Sequence, residues 1–340
     1  MRAAYFLGNH QFEVKEENQP KAGPGEVVIR NMAGGVCGTD VHIYHGDPGS
    51  ADVNPPVVLG HEYAGEIVEV GEGVTKLSLG DHVTVDPNIY CGECVYCRMG
   101  KKQLCENMKA IGVTQNGGFE EYSVVPASQA FKLDPSVPYA YGAMAEPTAC
   151  CLRGIDRADI KTGDTVVIIG GGAIGLIMMQ LAKLSGAARI CVSEPNEMRR
   201  QVAMELGADG TVDPTKPDAL DQLKKILGQD GADVVIECVG NNPAVKSAFD
   251  FAAKGAHIVL FSVPKVDATF PLPLFDVYKK ELTISGSFVN PDTHERAVRL
   301  INAGKINFGP IITHHFPLEQ MEEAILMQMG SESIKVVVDP

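Results

Sequence analysis

Short apolar runs separated by glycine, proline and aspartate dominate the chain from residue 1 to about residue 149. Strand-like stretches there include Glu26–Arg30, Ala64–Val70 and His82–Asp86, and no long helical pattern precedes Thr148. Frequent turn residues between short β-branched runs are typical of a domain whose strands close partly into a barrel. The pattern therefore predicts a β-rich, partly barrel-like first domain.

The pattern changes after Thr148, where near-continuous apolar strands alternate with helical spacing. Strands of this kind are buried on both faces, so the alternation predicts a doubly wound parallel sheet with helices on both sides. The predicted strands are Thr165–Ile169, Arg189–Val192, Val234–Cys238, His257–Phe261 and Leu282–Ser285, and the predicted helices are Ala173–Leu184 and Met198–Leu206. Beyond Pro291 the sequence predicts one further helix, His294–Ala303, and a last strand, Ile334–Val338.

A glycine-rich turn joins the first strand and the first helix of this sheet. Its residues, which satisfy the pattern G-x-G-x-x-G, are Gly170, Gly171, Gly172, Ala173, Ile174 and Gly175. The position between an apolar strand and a helix is the context of a dinucleotide site. Gly170 would permit the tight turn, Gly172 the approach of a pyrophosphate and Gly175 the close packing of the helix, whose first N–H groups would face the phosphates. A purely structural glycine turn is the alternative.

Glu194 follows the next predicted strand and indicates which dinucleotide binds. A carboxylate at this point accepts hydrogen bonds from ribose hydroxyls and repels a 2′-phosphate, which favours NAD over NADP. Arg199 and Arg200 lie nearby in the sequence, and an arginine can neutralise such a phosphate. NAD is the predicted cofactor, with Arg199 as a further cofactor-binding candidate and the strictness of the preference left open.

Four cysteines between residues 91 and 105 have the spacing of a metal site. They are Cys91, Cys94, Cys97 and Cys105. Four thiolates can surround one Zn²⁺ as a closed tetrahedron. The alternative is a pair of disulfides, but the chain shows no secretory signal and intracellular thiols stay reduced. Because four protein ligands leave no open position, this zinc is predicted to be structural, and a catalytic metal requires a second site.

Cys37 and His61 are candidate ligands for that second Zn²⁺. A carboxylate would complete three protein ligands and leave a position for water or substrate. Glu62 and Glu146 compete for this place. A lone histidine is more often a hydrogen-bonded core residue than a ligand, so His61 becomes a candidate only through its neighbours in Gly60-His61-Glu62.

Composition limits the partners that the chain can have. Its 340 residues, 45% hydrophobic and 21% charged, suffice for two domains with separate cores. The formal net charge of −14 argues against nucleic-acid or anionic-membrane surfaces, and no apolar run approaches the length of a membrane span. We expect a cytoplasmic protein that acts on a small molecule, with no nucleic-acid and no membrane partner.

A longer signature links these features to a known family. Gly60-His61-Glu62, followed by Gly65, Gly71 and Val74, reproduces the G-H-E-x2-G-x5-G-x2-V pattern, so the chain resembles the zinc-containing medium-chain dehydrogenases along essentially its whole length. The resemblance implies a GroES-like zinc catalytic domain formed by residues 1–149 and 289–340, with a Rossmann NAD-binding domain at 150–288. It also implies a homo-dimer or homo-tetramer, with strand pairing near Leu282–Phe288.

Within that family, C-G-T-D-V-H from Cys37 and A-E-P around Glu146 are similar to the polyol (sorbitol) and threonine dehydrogenase branch. The resemblance implies that Cys37, His61 and Glu62 bind the catalytic zinc, with Glu146 a ligand directly or through water. The implied reaction interconverts a secondary alcohol and a ketone with NAD(H), with zinc acting as a Lewis acid.

The same resemblance gives roles to three residues that follow Cys37. Thr39 and His42 match the proton relay of the family, in which the hydroxyl takes the proton and the histidine passes it to solvent. Asp40 matches a position that orients a ligand histidine. Thr39, His42 and Glu62 are therefore the catalytic candidates.

The substrate stays open at this stage. Phe288-Val289-Asn290 stand where sorbitol dehydrogenases carry an Arg-Tyr pair. Threonine, 2,3-butanediol, a sugar phosphate or a bulkier secondary alcohol are the alternatives to a sugar alcohol. A zinc- and NAD-binding protein with a structural or sensing role is the alternative outside the enzymes, and the complete set of site residues disfavours it.

Overall fold

A computed structural model describes residues 1–49 and 51–340 of the chain. The contacts within it form two compact units, Met1–Ala149 with Val289–Pro340, and Cys150–Phe288. The chain thus leaves the first unit near residue 150 and returns to it near residue 289. Each unit has apolar clusters of its own.

Strands and helices are numbered in chain order over the described residues. The strands are β1 (Arg2–Gly8), β2 (Gln11–Glu16), β3 (Glu26–Gly35), β4 (Val57–Val58), β5 (Glu62–Val70), β6 (His82–Val85), β7 (Asn88–Ile89), β8 (Lys109–Ala110), β9 (Tyr122–Pro126), β10 (Ala130–Lys132), β11 (Thr165–Ile169), β12 (Arg189–Ser193), β13 (Gly210–Val212), β14 (Ala232–Glu237), β15 (Ala252–Leu260), β16 (Thr283–Gly286), β17 (Ile312–Pro317) and β18 (Lys335–Asp339). The helices are α1 (Gly38–Tyr44), α2 (Val95–Arg98), α3 (Tyr139–Ala143), α4 (Ala145–Ala158), α5 (Ala173–Leu184), α6 (Glu197–Glu205), α7 (Ala219–Leu227), α8 (Asn242–Phe251), α9 (Leu274–Lys280), α10 (His294–Asn302) and α11 (Met321–Met329). Within residues 1–49 and 51–340, no helix has both the length and the apolar character needed to cross a membrane.

The first unit is built mainly from antiparallel strands. As far as the structure describes it, its largest sheet has seven strands in the order β10-β6-β5-β3-β18-β17, and β9 also pairs with β3. Smaller sheets, β2-β1-β4 and β7-β8, complete the unit. The prediction of a β-rich first domain is confirmed. Strand β18 lies between β3 and β17, so a segment near residue 337 completes a sheet that begins near residue 26.

The second unit contains one parallel sheet of six strands among the described residues, in the order β13-β12-β11-β14-β15-β16. Numbered within the unit, this order is 3-2-1-4-5-6, the strand order of a doubly wound dinucleotide-binding fold. Every side chain of β11 is buried, as expected for a central strand covered on both faces. The predicted Rossmann fold is confirmed, and α5 has the predicted bounds.

Helix α4 begins before Thr148, where the sequence predicted no helix, and its composition explains the omission. Pro147 stands in the first turn, where its missing N–H costs no intrahelical hydrogen bond. Gly154 lowers helix propensity, but a Cβ at this position would come within 2.8 Å of the Phe261 ring. The close packing of α4 therefore requires glycine at position 154, although a glycine in a sequence usually indicates the end of a helix.

His294, at the start of α10, is expected to make the protein less stable in acid. The ring is 1% exposed, and both of its nitrogens lack hydrogen-bond partners among the described residues. Burial lowers the pKa of His294 to about 3. Since an unfolded histidine titrates near 6.5, the stability that His294 contributes is complete above that pH and is lost as the pH falls towards 3.

Replacing His294 with phenylalanine removes this titration and retains a ring beside Phe131, whose centroid lies 4.9 Å from that of His294. Between pH 7 and pH 5 we expect the free energy of unfolding of the wild type to fall by about 2 kcal/mol more than that of the variant. Urea unfolding at both pH values measures the difference, and effects of acid on other groups are common to both proteins. Parallel pH profiles would show that His294 charges without cost in the folded state.

Candidate metal centres and dinucleotide site

Cys37, His61 and Glu62 lie together in the first unit, where β3 ends and β5 begins. Each offers a ligand atom, and these atoms lie within 4.8 Å of one another. Gly35, the last residue of β3, pairs with Glu62, the first residue of β5, so the segments that continue from these strands are neighbours. Among the described residues this group does not include Glu146, which is buried in the first turn of α4.

Asp40 fixes the orientation of this cluster from inside α1. One carboxylate oxygen, Oδ2, accepts a hydrogen bond of 2.8 Å from the backbone N–H of Cys37. The other, Oδ1, lies 3.6 Å from Nδ1 of His61, slightly beyond hydrogen-bond distance, and both side chains are buried. With Nδ1 facing the carboxylate, Nε2 of His61 becomes the nitrogen suited to a metal.

Thr39 and His42 lie on the partly exposed side of α1. They are three residues apart and therefore neighbours on the helix surface, whereas Asp40 and Ile43 are buried. The helix thus separates a polar, solvent-accessible pair from the carboxylate that faces His61.

Lys335, which the sequence analysis did not select, belongs to the same cluster. Its Nζ forms an ion pair with Glu62 Oε2 and donates a hydrogen bond of 2.8 Å to the carbonyl of Val36. The two charged side chains are 4% and 1% exposed. The only sequence feature that pointed to Lys335 is its place at the start of the apolar strand K-V-V-V. Such a strand is buried, and a buried lysine almost always has an anionic partner.

The charges of the cluster fit a bound cation. Burial alone would lower the pKa of His61, but the charges of Asp40 and Cys37 outweigh it and raise that pKa well above its usual value. Burial and the neighbouring Glu62 raise the pKa of the Cys37 thiol. The raised pKa of His61 indicates excess negative potential around its ring, whereas burial is the main cause of the shift at Cys37. A thiolate, an imidazole and a carboxylate form a donor set suited to Zn²⁺ with a position left open.

The four clustered cysteines surround a second position, around the short helix α2. Their ligand atoms lie within 4.8 Å of one another, and Cys91 Sγ is 4.0 Å from Cys97 Sγ, far beyond a disulfide bond. Backbone N–H groups point at the sulfurs, as in Cys94 N–H to Cys91 Sγ at 3.3 Å. Hydrogen bonds from the N–H groups of Cys94 and Glu93 lower the pKa of Cys91 to about 6. These features suit thiolates that bind one Zn²⁺.

We expect Cys97→Ser to lose one zinc ion per chain and to lower the melting temperature by several degrees, because the lobe around α2 then loses its cross-link. Metal analysis and thermal unfolding measure the two effects. Cys150→Ser removes a thiol outside the quartet and should change neither zinc content nor, to a comparable degree, stability. A Cys97→Ser protein that keeps its zinc and its melting temperature but loses activity would contradict a structural role.

The glycine-rich turn in the second unit leaves the backbone at the start of α5 uncovered by side chains. Gly170 has a φ of +103°, and a Cβ at Gly175 would collide with the carbonyl of Gly170. Gly172 is the N-cap residue of α5, and a Cβ there would meet nothing within 4 Å. A tight turn, a close helix and an uncovered helix start are the features that admit a pyrophosphate.

Glu194 lies at the end of β12 against this turn. Its Oε2 accepts a hydrogen bond of 2.7 Å from Gly171 N–H, and its Oε1 accepts one of 2.8 Å from Asn196 N–H. The guanidinium of Arg200 donates to the carbonyls of Glu194 and Pro195 at 2.8 and 2.7 Å. Arg200 is therefore engaged with backbone. Glu194 is thus a buried carboxylate beside the glycine-rich turn, a position that suits NAD.

Replacing Glu194 with serine should increase the ratio of kcat/KM for NADP to that for NAD by about tenfold or more, because the repulsion of a 2′-phosphate disappears. Steady-state kinetics with both cofactors measure this ratio. Glu197→Gln removes an equal charge from the exposed side of α6 and should leave it unchanged. An unchanged ratio in Glu194→Ser would remove Glu194 from cofactor selection.

Sequence comparison finds two family models along the chain. Residues 23–135 match the alcohol dehydrogenase GroES-like domain, and residues 173–303 match the zinc-binding dehydrogenase domain. Together the two matches cover most of the chain and fall on both of its structural units.

Individual relatives match over nearly their whole length. An L-threonine 3-dehydrogenase from Pyrococcus horikoshii is 36% identical over 329 residues, which are 96% of this chain and 94% of that protein. A sorbitol dehydrogenase from Halalkalibacterium halodurans is 35% identical over 339 residues, 98% and 97% of the two chains. Among solved structures, a zinc-binding dehydrogenase from Sinorhizobium meliloti bound to NADP has a TM-score of 0.94 and 38% identity, covering 100% of this chain and 99% of that one.

Proposed function

We propose a reaction for this chain, which belongs to the zinc-containing medium-chain dehydrogenases: the NAD-linked interconversion of a secondary alcohol of a polyol and the corresponding ketone. The observation that carries the proposal is the cluster of Cys37, His61 and Glu62, three donors of different chemistry held in one buried place. Thr39 and His42 on the neighbouring face of α1 supply the groups for proton removal. A structural or sensing protein would need neither.

Each residue of the cluster has a proposed task. Zn²⁺, when bound, would supply Lewis-acid chemistry at the substrate hydroxyl, and NAD would supply a hydride acceptor. Cys37, His61 and a carboxylate hold the metal, and Asp40 keeps the His61 ring in the orientation that presents Nε2. Thr39 takes the hydroxyl proton, and His42 releases it to water from the partly exposed side of α1.

Glu62 and Glu146 remain the candidates for the carboxylate ligand. Glu62 lies within the cluster but is paired with Lys335, so metal binding through Glu62 competes with that ion pair. Comparing zinc content and zinc affinity of Glu62→Gln and Glu146→Gln would assign the ligand.

L-Threonine is the second candidate substrate, favoured by the identity of 36% to L-threonine 3-dehydrogenase. Its 3-hydroxyl is also a secondary alcohol, so the same donors and the same proton path serve. A polyol and L-threonine would therefore undergo the same reaction at the same residues. They would differ only in the residues that bind the rest of the substrate.

NADH formation at alkaline pH tests the proposal across sorbitol, xylitol, galactitol, 2,3-butanediol, L-threonine and a sugar-alcohol phosphate. Preference for a polyol supports the proposed class. Turnover of threonine, a diol or a phosphate without any polyol would keep the chemistry and replace the substrate. If none of these compounds is oxidised by protein that holds zinc and binds NADH, the proposed enzyme activity is contradicted.

We also propose that the chain forms a homo-oligomer through its second unit. Strand β16 is the last strand of the parallel sheet in the described part of the unit, and an open edge pairs readily with another strand. Leu274, Phe275 and Tyr278 on α9 are 72%, 68% and 79% exposed, an apolar surface that a second copy would cover. Light scattering of the wild type and of Phe275→Glu would measure the mass, and two identical monomer masses would reject the proposal.

A further inference from the structure

A buried carboxylate at the carboxyl edge of the parallel sheet has no role so far. Glu237 is the last residue of β14 and is 1% exposed. It pairs in register with Ile169 of β11 on one side and with Leu260 of β15 on the other. The glycine-rich turn follows Ile169 directly. Glu237 therefore stands at the edge where ligands of doubly wound sheets bind.

The carboxylate of Glu237 joins two loops. Oε1 accepts hydrogen bonds from the N–H groups of Val239 and Gly240 at 2.6 and 2.8 Å, in the loop after β14. Oε2 accepts from the hydroxyl of Ser262, in the loop after β15. Three neutral donors thus surround the carboxylate, and each bond to a charged acceptor is stronger than an ordinary hydrogen bond.

The loop that Glu237 holds lies against the glycine-rich turn. A Cβ built on Gly170 would come within 2.9 Å of Val239 Cγ2, and one on Gly240 within 3.3 Å of the Ser262 side chain. The side chain of Val239 itself is 46% exposed. The loop after β14 is therefore packed on the turn and on the loop after β15, and it presents an apolar side chain at the sheet edge.

We propose that Glu237 is a positioning residue for the nicotinamide half of the dinucleotide; this rests on the proposed function. Strands β11 to β13 form the first mononucleotide-binding half of the fold and β14 to β16 the second. Glu194 and the glycine-rich turn serve the first half. Glu237 fixes the two loops that border the second half, so its loss weakens binding of the nicotinamide end more than binding of the adenosine end.

Two probes separate the two ends of the cofactor. NADH fills both halves, whereas ADP-ribose lacks the nicotinamide. NADH binding is read from its own fluorescence, and the chain contains no tryptophan that would contribute to the signal. ADP-ribose binding is read by displacement or calorimetry. Neither measurement depends on turnover, so failure to find a substrate leaves this test intact.

We expect Glu237→Ala to raise the Kd for NADH about tenfold and to leave the Kd for ADP-ribose within about twofold of the wild type. Ser262→Ala releases only the second loop and should weaken NADH binding about threefold. Glu237→Gln keeps an oxygen for Val239 and Gly240, and its amide can donate to Ser262 Oγ, so it should restore most of the affinity. If Glu237→Ala folds poorly, the Kd values of Ser262→Ala and Glu237→Gln for the two probes test the proposal instead.

Asp233 provides the matched control at the opposite end of β14. Its Oδ2 accepts hydrogen bonds of 2.8 Å from both the backbone N–H and the hydroxyl of Thr165. Asp233→Ala should lower the melting temperature without changing the NADH to ADP-ribose ratio of Kd values. The proposal would be overturned if the Glu237 variants lost affinity for NADH and for ADP-ribose equally. It would also be overturned if the wild type bound ADP-ribose as tightly as NADH.

Discussion

Cys37→Ser is expected to lower kcat/KM by about a thousandfold or more. Serine is a poor ligand for Zn²⁺, and the Lewis acid supplies several kcal/mol of transition-state stabilisation, each 1.4 kcal/mol of which is a factor of ten. The Kd for NADH should stay close to that of the wild type, because the glycine-rich turn and Glu194 belong to the other structural unit. Steady-state kinetics, metal analysis and NADH titration measure the three quantities.

The matched control for this variant is Cys151→Ser, which removes a thiol that lies buried in α4. It should retain the metal content of the wild type and most of the activity. Full turnover by a Cys37→Ser protein that has lost one zinc ion would reject Cys37 as a catalytic ligand. Loss of NADH affinity together with turnover would instead point to a general folding defect.

Lys335→Met is expected to reduce the free energy of unfolding by about 3–5 kcal/mol in chelator-treated protein. The change leaves the Glu62 carboxylate, which is 1% exposed, without the cation that neutralises it. Breaking a buried pair on one side costs this much because the remaining charge stays desolvated. Added Zn²⁺ should recover part of the loss, since the ion supplies positive charge next to the same carboxylate. Urea unfolding with and without zinc measures both effects.

The double variant Lys335→Met/Glu62→Gln removes the orphaned charge and should recover much of the stability. Lys246→Met serves as the comparison, because its pair with Asp250 on α8 is exposed and such pairs contribute about 0.5 kcal/mol. If Lys335→Met is no more destabilising than Lys246→Met, the buried ion pair does not stabilise the first unit.

Local patterns of the sequence predicted the parallel sheet well. The apolar spacing of α5 and the β-branched run of β11 were predicted with the bounds that the structure has. Both elements are long or strongly periodic, and the glycines between them have a recognisable arrangement. Information of this kind is contained in adjacent residues, which explains why a single sequence suffices for it.

Contacts between distant segments were not predictable in the same way. The Lys335–Glu62 pair depends on the register in which β18 joins β3, and no local pattern determines that register. The contact between Glu237 and the Ser262 hydroxyl likewise follows from how β14 and β15 align. Helix α4 was missed because Pro147 and Gly154 weaken its pattern. In each case tertiary packing decides what the local sequence leaves undetermined.

The position of β18 imposes an order on biosynthesis. Lys335 and Val36, which share a hydrogen bond, are 299 residues apart, and the ribosome makes the whole of Cys150–Phe288 between them. The inserted unit is contiguous in the chain, so it can fold as soon as it emerges. The first unit has to wait, with the Gly34–Gly35 end of β3 unpaired on one side and Glu62 without Lys335, until β18 has emerged. The nascent chain therefore exposes an incomplete sheet for most of its synthesis. During this stage chaperones can bind the exposed strands, and strands of neighbouring nascent chains can pair wrongly.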